Sequence, residues 1–366
     1  MSKYSNQNSR YTIELTTTQK CNFKCQYCFE EGFVPKRSQL SAKLPKLIKQ
    51  LENIFDDPWF DMTFNNKNIS FWGGEPSLGI DMIYRIVEHF IEDQDVTFFI
   101  YTNGSRIKQL LPLFHKCKSM RAVGGNKFTI QISYDGMVLQ DLRRSGSSRI
   151  VLEGMDILHR AGIPFGLKST VTYQDFKYLP DTWHEYSQLH EKYGVKLSTT
   201  VDYHNIDFYN HRDSIEENLL KIAQYEMEFH KNHGYFLSNI LTGTKFYCGC
   251  GKGMMSVDVD GKAYYCHGCF YSDKVHETAN IFDNDIVDKI KNNFGYFYNH
   301  APVNDECAKC VALTCLKCNV KKYEASEKSK FLEKWHDYTS QPEICDYYKL
   351  TGRIGRAMLN ILREEN

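Results

Sequence analysis

The sequence predicts an α/β protein built on a parallel sheet and followed by a smaller cysteine-rich region. Two observations carry this prediction. From Tyr11 to about residue 233, six strand-like runs alternate with amphipathic helical runs, which implies parallel strands joined by right-handed crossovers. Nine of the thirteen cysteines lie between Cys248 and Cys345, where the remaining elements are short.

Runs that contain β-branched or aromatic residues predict the strands. The six strands are Tyr11–Thr17, Asn68–Trp72, Val96–Tyr101, Lys127–Tyr134, Phe165–Thr172 and Val195–Tyr203. Helical spacing of apolar residues predicts the helices. These are Ala42–Phe55, Asp81–Glu92, Ile107–His115, Ser148–Arg160, Leu179–Lys192, Ser214–Asn232 and a last helix over residues 346–366. We therefore expect three parts, residues 1–237, 238–345 and 346–366.

The composition bears on partners and on location. With 45 basic and 45 acidic residues, the net charge gives no indication of a nucleic-acid partner. A neutral total is nevertheless compatible with a local basic patch. The polar start has no signal peptide, and no apolar run approaches about 18 residues, so we expect a cytoplasmic protein without a membrane partner. Cytoplasmic cysteines stay reduced, which favours metal binding over disulfides.

Three cysteines near the start, Cys21, Cys25 and Cys28, follow the first strand with CxxxCxxC spacing. An iron–sulfur cluster usually takes four thiolates, so three leave one iron with an open coordination position. An open position is typical of a catalytic metal site. The Tyr27 ring is expected to pack against this site. The alternative is a zinc loop, but such loops more often have CxxC spacing, and this one offers no fourth Cys or His.

The next three strands end in polar turns. Glycines allow the backbone to approach a ligand closely, a carboxylate can accept hydrogen bonds from an ammonium group, and proline stiffens a turn. The candidates at these strand ends are Gly73, Gly74, Glu75 and Pro76, then Thr102 and Asn103, then Ser133 and Asp135. Taken singly, each motif is also compatible with an ordinary tight turn.

Together these motifs resemble the radical S-adenosylmethionine (SAM) superfamily. The resemblance implies a partial (β/α)6 barrel with its chemistry at the carboxyl ends of the strands. It also implies a [4Fe–4S] cluster on the first three cysteines, whose open iron chelates the amino and carboxylate groups of SAM. The GGEP turn would hold the SAM amino group, and the other strand ends would suit its ribose and carboxylate. Arg144 lies in a motif similar to the family's HDxxR, with Gln140 replacing the histidine. It is a candidate partner for the SAM carboxylate or, alternatively, a solvated surface arginine.

The segment from Cys248 to Cys266, with Gly261 between them, resembles the opening of a SPASM domain. Such domains typically hold two auxiliary [4Fe–4S] clusters. By position, the first would use Cys248, Cys266 and Cys318, with Cys250 or Cys269 as the fourth ligand. The second would use Cys307, Cys310, Cys315 and Cys345, whose spacing is shorter than usual. Zinc is the alternative metal. Cys117 is expected to be a buried thiol without a metal.

The resemblance implies reductive cleavage of SAM to a 5′-deoxyadenosyl radical, which abstracts a hydrogen atom from a substrate. SPASM enzymes mostly modify peptides or proteins, so we expect an oxidative crosslink or side-chain oxidation, with flavodoxin or ferredoxin as reductant. No peptide-recognition domain is expected before the first strand. The alternatives are the same chemistry on a nucleotide or small molecule, and a non-enzymatic electron-transfer protein. Residues that could face the substrate are Lys168, Asp202, Tyr203 and His204, although such residues are more often surface positions.

Overall fold

The computed structural model describes most of the chain. It covers residues 10–28, 35–122, 125–144, 146–202, 205–243, 249–270, 277–296 and 342–364, with the single residues 272, 275, 310, 312, 315 and 318. The strands are β1 (Arg10–Thr18), β2 (Asn66–Gly73), β3 (Val96–Thr102), β4 (Arg121–Ala122), β5 (Gly125–Asn126), β6 (Phe128–Ser133), β7 (Gly166–Val171), β8 (Leu197–Val201), β9 (Met254–Val257), β10 (Lys262–Tyr264) and β11 (Ala279–Asn280). The helices are α1 (Gln39–Ala42), α2 (Leu44–Phe55), α3 (Pro58–Thr63), α4 (Ile80–Phe90), α5 (Ile107–Lys118), α6 (Met137–Arg143), α7 (Ser148–Arg160), α8 (Leu179–Tyr193), α9 (Phe208–His233), α10 (Ile286–Asn293) and α11 (Pro342–Glu364).

The predicted partial (β/α)6 barrel is confirmed. Strands β1, β2, β3, β6, β7 and β8 are neighbours in that order, and every pairing among them is parallel. Aromatic and aliphatic side chains on the helix-facing side form the core; Phe71, for example, stacks on Phe98 with ring centroids 6.4 Å apart. The sheet therefore brings all six carboxyl ends to one edge, where the predicted motifs lie.

The opposite side of the sheet, which we call the inner face, is polar. Along β7 and β8, fully buried residues alternate with half-buried ones, as expected for one face on the core and one on an open interior. The inner face consists of Thr12, Glu14, Thr16, Ser70, Trp72, Phe99, Tyr101, Gln131, Ser133, Lys168, Thr170, Ser198 and Thr200.

The cysteine-rich region shares its sheet with the barrel. A short turn that includes Gly261 joins β9 and β10, and these two strands pair antiparallel. Strand β9 also pairs parallel with β1, so that Glu14 lies opposite Ser256. The sheet thus runs without interruption from β11 through β1 to β8. The division at residue 237 stays a prediction, because the hydrogen-bonded sheet crosses it.

The last helix packs against the barrel. It begins at Pro342, four residues before the predicted start at 346, so Cys345 lies in its first turn. A proline is well suited to the first helical position because its missing N–H would have no partner there. Tyr347 is 3 % exposed and contacts the rings of Tyr173, Phe176 and Phe208. No helix in the described part of the chain is both long and apolar enough to span a bilayer.

Candidate functional site

Three thiols lie on the loop that follows β1. Cys21 is exposed, whereas Cys25 and Cys28 are half-buried. The Cys28 amide donates to the Cys25 carbonyl over 3.0 Å, which turns the loop back on itself. Burial raises the pKa of the Cys25 thiol to about 11, although the nearby Arg144 guanidinium opposes this. Binding of a metal by these thiols would therefore release protons, because the thiolate is the ligand.

The polypeptide itself holds this loop in place. The Gln26 amide donates to the Arg143 carbonyl over 3.0 Å. On the other side, the Asn103 side-chain amide donates to the Asn22 side chain over 2.9 Å. The loop thus bonds both to the end of β3 and to the end of helix α6. Its position does not depend on the cysteine side chains alone.

The two glycines of the GGEP turn allow β2 to approach the cysteine loop. A Cβ atom on Gly73 would lie 2.1 Å from the Thr18 carbonyl oxygen, and one on Gly74 would lie 2.6 Å from the Lys20 carbonyl oxygen. The Gly74 amide donates to the Thr18 carbonyl over 3.0 Å. The two glycines were expected to let the backbone approach a ligand closely. In the structure they also let the backbone of the turn approach the backbone of the cysteine loop. Pro76 is buried and opens the 3₁₀ turn that follows.

Glu75 is completely buried and bonds to neighbouring strand ends. One carboxylate oxygen accepts from the Thr102 hydroxyl over 2.8 Å and from the Ser77 hydroxyl over 2.5 Å. The other oxygen accepts from the Asn103 amide over 2.7 Å. Burial raises the pKa of Glu75, although these donors oppose the rise. The carboxylate fixes the ends of β2 and β3 against each other, whereas its contact with a SAM ammonium stays a prediction.

Asp135 follows β6 and is also completely buried. It accepts from the Tyr27 hydroxyl over 2.6 Å, and guanidinium nitrogens of Arg144 and Arg143 lie 3.0 and 3.1 Å from the same oxygen. Burial favours its protonated form, but the two arginines outweigh that effect and hold the pKa of Asp135 below its usual range. The other oxygen accepts from the Thr170 amide over 3.0 Å. Asp135 thereby connects the cysteine loop, α6 and β7.

Arg144 is 6 % exposed, so the alternative of a solvated surface arginine is wrong. One of its nitrogens also contacts the Tyr27 hydroxyl, and its guanidinium lies 5.3 Å from the centre of the Tyr27 ring. Arg143 lies 4.8 Å from the same ring centre. Sequence reasoning did not single out Arg143, although its position beside Arg144 was the available signal. The expected contact between Arg144 and a SAM carboxylate stays a prediction.

Gln140 stands where the resembling motif has histidine, and it is completely buried. Its side-chain oxygen accepts from the Asp135 amide over 3.1 Å, and its nitrogen donates to the Ser147 hydroxyl over 3.0 Å. An amide offers both an acceptor and a donor, so the glutamine links β6 to the start of α7.

Ser133 and Lys168 lie side by side on the inner face, paired across β6 and β7. The Lys168 amine contacts the Thr200 hydroxyl on β8. Burial lowers the pKa of Lys168 to about 8, although Asp135 opposes this. Asp202 is buried and accepts from the Asn205 side chain over 2.9 Å. The other two candidates for a substrate-facing position, Tyr203 and His204, lie outside the described residues.

A second thiol triad lies in the C-terminal region. The sulfur atoms of Cys250, Cys266 and Cys269 all lie within 4.8 Å of one another. Cys250 and Cys269 are 1 % and 0 % exposed, and Cys318 packs against the same cluster. Thiol hydrogen bonds from Cys250 and Cys266 lower the pKa of Cys269, which favours the thiolate that a metal needs. The sequence left Cys250 and Cys269 as alternatives, whereas the structure brings both to one place.

The remaining cysteines are described less completely. Cys310, Cys315 and Cys345 are half-buried. Cys248 and Cys307, both expected ligands, lie outside the described residues. Cys117 is 2 % exposed on the core side of α5, as expected for a buried thiol. In the ranges that the structure describes, the C-terminal triad is the one group of three metal-binding side chains with such close donor atoms.

The chemistry of both triads fits an iron–sulfur cluster, because thiolates are its usual ligands. The N-terminal triad is partly open, which suits a site that must also receive a small molecule. The C-terminal triad is enclosed by Tyr264, Tyr265 and Val275, which suits a closed site. Its donors would also suit zinc.

The inner face contacts the turn that carries Cys266 and Cys269, through residues that sequence reasoning missed. Glu14 on β1 is 1 % exposed and lies 2.8 Å from Nδ1 of His267, which is next to Cys266. The His267 ring stacks on Trp72, with centroids 4.3 Å apart. The available signal was the acidic residue at an alternating position of the predicted strand Tyr11–Thr17, which contains no other charged residue.

Comparison with known proteins identifies the family of the barrel region. The family model described as the radical SAM superfamily matches residues 15–186. Uncharacterized protein MJ0907 of Methanocaldococcus jannaschii is 27 % identical over 176 residues, 46 % of this chain and 55 % of that protein. A probable GTP 3′,8-cyclase of Sulfolobus acidocaldarius is 23 % identical over 74 % of this chain and 84 % of its own. A cysteine-type anaerobic sulfatase-maturating enzyme of Clostridium novyi is 29 % identical over 41 % of each chain. The match to the first of these relatives thus spans about half of that protein's length.

Two solved structures share the fold. One is anSMEcpe with bound AdoMet and Cp18Cys peptide, with a TM-score of 0.69 and 17 % identity over 97 % of this chain and 99 % of that chain. The other is Streptococcus suis SuiB bound to precursor peptide SuiA, with a TM-score of 0.60 and 15 % identity over 91 % and 76 %. The family match begins in β1 and ends in α8, so this part of the chain is a radical SAM domain, and the cofactors of that family are a [4Fe–4S] cluster and SAM.

Proposed function

We propose that this protein is a radical SAM enzyme that oxidatively modifies a peptide or protein substrate. The observation that carries the proposal is the partly open triad of Cys21, Cys25 and Cys28 at the carboxyl edge of the barrel. The chain's own hydrogen bonds hold the loop of this triad against the GGEP turn and Asp135. A reduced cluster bound there would supply the electron that cleaves SAM to methionine and a 5′-deoxyadenosyl radical.

The residues around the triad would position SAM and keep water from it. Buried Glu75 fixes the strand end that carries the turn, and buried Asp135 fixes the Tyr27 ring beside the loop. Neither carboxylate is exposed, so their main contribution is a rigid framework for the site. Fixed groups of this kind orient a bound molecule without reorganising during the reaction.

Several observations support a peptide substrate. The fold extends over almost the whole of anSMEcpe, whose structure contains a peptide, and SuiB has been solved with a precursor peptide. The inner face is polar but carries one cation, Lys168, among its defined residues. Such a surface suits a peptide segment with one acidic group better than a polyphosphate. A crosslink or a side-chain oxidation is the product class that we propose.

A nucleotide substrate is the second candidate, since GTP 3′,8-cyclases are among the relatives. One of them matches 74 % of this chain. A nucleoside triphosphate carries several negative charges and needs more cations than the inner face provides. The two candidates therefore differ in the hydrogen-atom donor that each predicts.

The C-terminal cysteines complete the proposal. We propose that Cys250, Cys266, Cys269 and Cys318 hold one auxiliary [4Fe–4S] cluster, with Cys248 as the alternative ligand. A second set would be Cys307, Cys310, Cys315 and Cys345. An auxiliary cluster can accept the electron that net oxidation of a substrate releases. We further propose a flavodoxin or ferredoxin as reductant and a cytoplasmic location, the latter from the thirteen cysteines.

The test replaces Cys21, Cys25 and Cys28 together by alanine in protein reconstituted without oxygen. We expect formation of 5′-deoxyadenosine from SAM and dithionite to disappear, while iron bound by the C-terminal cysteines remains. Cys117→Ala is the control, because it removes a thiol that is buried in the core on helix α5 and belongs to neither triad. Continued SAM cleavage in the triple variant would show that the catalytic site lies elsewhere.

A second measurement tests the substrate class. Deuterated peptides and deuterated GTP are offered in turn, and deuterium in 5′-deoxyadenosine is measured by mass spectrometry. Transfer from the peptides supports the proposal. Transfer from GTP alone would replace it by the nucleotide candidate.

A further inference from the structure

A buried acidic residue connects the barrel with the C-terminal thiol triad. Glu14 is 1 % exposed and lies in the middle of β1, the same strand that leads into the Cys21 loop. Its carboxylate oxygen accepts from the Ser256 hydroxyl over 2.5 Å and lies 2.8 Å from His267 Nδ1. Burying a carboxylate is costly unless it is hydrogen-bonded, so these two partners fix its position.

His267 belongs to the short turn that carries two of the triad cysteines. It follows Cys266 directly, and the Cys269 amide donates to the Cys266 carbonyl over 3.0 Å. The His267 ring is parallel to Trp72 within 19°, with 4.3 Å between centroids. The imidazole is thus held on one edge by Glu14 and on one face by Trp72. The turn between the two cysteines cannot shift without breaking both contacts.

We propose that Glu14, acting through His267, is a positioning and charge-setting residue for a redox group held by Cys250, Cys266 and Cys269. The inference rests on the proposed function, because it requires an iron–sulfur cluster at this triad. Protein groups around such a cluster set its potential through charge, hydrogen bonds and burial. One-electron reduction adds one negative charge to the cluster. A buried carboxylate nearby therefore disfavours the reduced state.

Trp72 extends the connection toward the N-terminal site. It stacks edge-on against Tyr101, with centroids 5.2 Å apart, and Gly73 of the GGEP turn follows it directly. Strand β1 and Trp72 thus connect the two thiol sites through one hydrogen-bonded sheet.

The experiment measures the midpoint potential of the reconstituted protein by electron paramagnetic resonance during a redox titration. Signals that change when SAM is added report the N-terminal cluster, and the SAM-independent signals report the C-terminal clusters. Glu14→Gln retains the size and hydrogen bonding of the side chain but removes its charge. We expect one SAM-independent signal to move to a more positive potential, while the SAM-dependent signal keeps its potential.

Glu277→Gln is the matched control. Glu277 lies in the same region and pairs with Lys262 over 3.1 Å, but both side chains are 45 % exposed. Solvent and salt screen exposed charges, so this variant should leave every potential unchanged. Equal potentials in Glu14→Gln and in wild type would overturn the proposal. So would the absence of any SAM-independent iron–sulfur signal, as a zinc-filled triad would give.

A second pair of variants keeps the test valid if Glu14→Gln does not fold. His267→Ala removes the hydrogen bond to Glu14, whereas His267→Asn retains a donor close to the position of Nδ1. We expect the alanine variant to shift the same signal and the asparagine variant to restore it. Identical potentials in both variants would contradict the proposal. Cleavage of SAM is measured in parallel, so that failure of the proposed function and failure of this inference are told apart.

Discussion

The two thiol triads are built in opposite ways. The N-terminal loop is open to solvent at Cys21, and it is fixed by a backbone bond to Arg143 and by a side-chain bond from Asn103 to Asn22. The C-terminal triad is enclosed, and its thiols face one another, with Cys266 and Cys269 separated by 3.9 Å between sulfur atoms. The loop of the first site is held by the rest of the chain and is accessible to a ligand, whereas the second site has the enclosed arrangement of a structural metal site.

This difference indicates which of the two regions needs a bound metal in order to fold. At the N-terminal site, buried charges and hydrogen bonds of the chain fix the loop that carries the three cysteines. At the C-terminal site, three thiols without a metal gain little from one another, because thiols are weak donors and acceptors. Metal binding and folding are therefore expected to be coupled in the second region and largely independent in the first.

Removal of metal should have the largest effect. Structural metal sites contribute on the order of 10 kcal/mol to folding, so their loss should open the region around them. After treatment of the reconstituted protein with a chelator, we expect amide hydrogen exchange over residues 262–270 to accelerate by about a thousandfold or more. Exchange at the amides of Gln26 and Cys28, and in β3, should change by less than about tenfold. Equal acceleration in both regions would break the comparison.

Neutralising Asp135 should have the next largest effect. It tests whether buried charges fix the loop of the N-terminal site. Asp135→Asn leaves Arg143 and Arg144 buried without their shared anion. Removing one partner from a buried ion pair costs about 3–5 kcal/mol. We expect the free energy of unfolding, measured with urea, to fall by about that amount. The C-terminal metal content should stay at the wild-type level.

The control for this variant is Asp156→Asn. The Asp156 side chain is 41 % exposed and pairs with Lys192 over 2.9 Å, so its loss should cost at most about 1 kcal/mol. Acid gives a second check. The pKa of Asp135 is lower in the folded protein, so its stabilisation is complete above its ordinary pKa of about 3.9 and is lost as pH falls through the folded value. If Asp135→Asn lowered the free energy of unfolding at neutral pH by no more than the control does, buried charges would not be what fixes the N-terminal loop.

Much of the barrel could be predicted from the sequence because its signals are local. Runs of β-branched residues, helical apolar spacing and turn residues each depend on neighbours along the chain. Helix α7 was predicted with both of its bounds, Ser148 and Arg160, and β3 was predicted to within one residue. The shortest elements, β4, β5 and β11, were not predicted, because two residues carry no periodicity.

The candidate site was harder to predict, because its contacts join residues that are distant in sequence. Cysteine spacing indicated which thiols could bind a metal, but not that Cys250 and Cys269 lie together. The pairing of β9 with β1 depends on a hydrogen-bonded edge, which a sequence pattern does not reveal. Likewise, the burial of Arg144 depends on its contacts with Asp135 and Tyr27. A local sequence pattern does not reveal these contacts, because Tyr27 lies far from Arg144 in the sequence.

The smallest expected effect on stability distinguishes a cysteine that only packs in the core from a cysteine that binds a metal. Cys117 and Cys269 are 2 % and 0 % exposed, so replacement by alanine removes one buried sulfur atom from each. Cys117→Ala should cost about 1 kcal/mol of unfolding free energy through lost packing, with unchanged iron content. Cys269→Ala should instead lower the iron bound per chain and expose residues 262–270 to exchange. If the two variants lost the same amount of iron, burial alone would explain both cysteines, and the C-terminal triad would no longer differ from an ordinary apolar core.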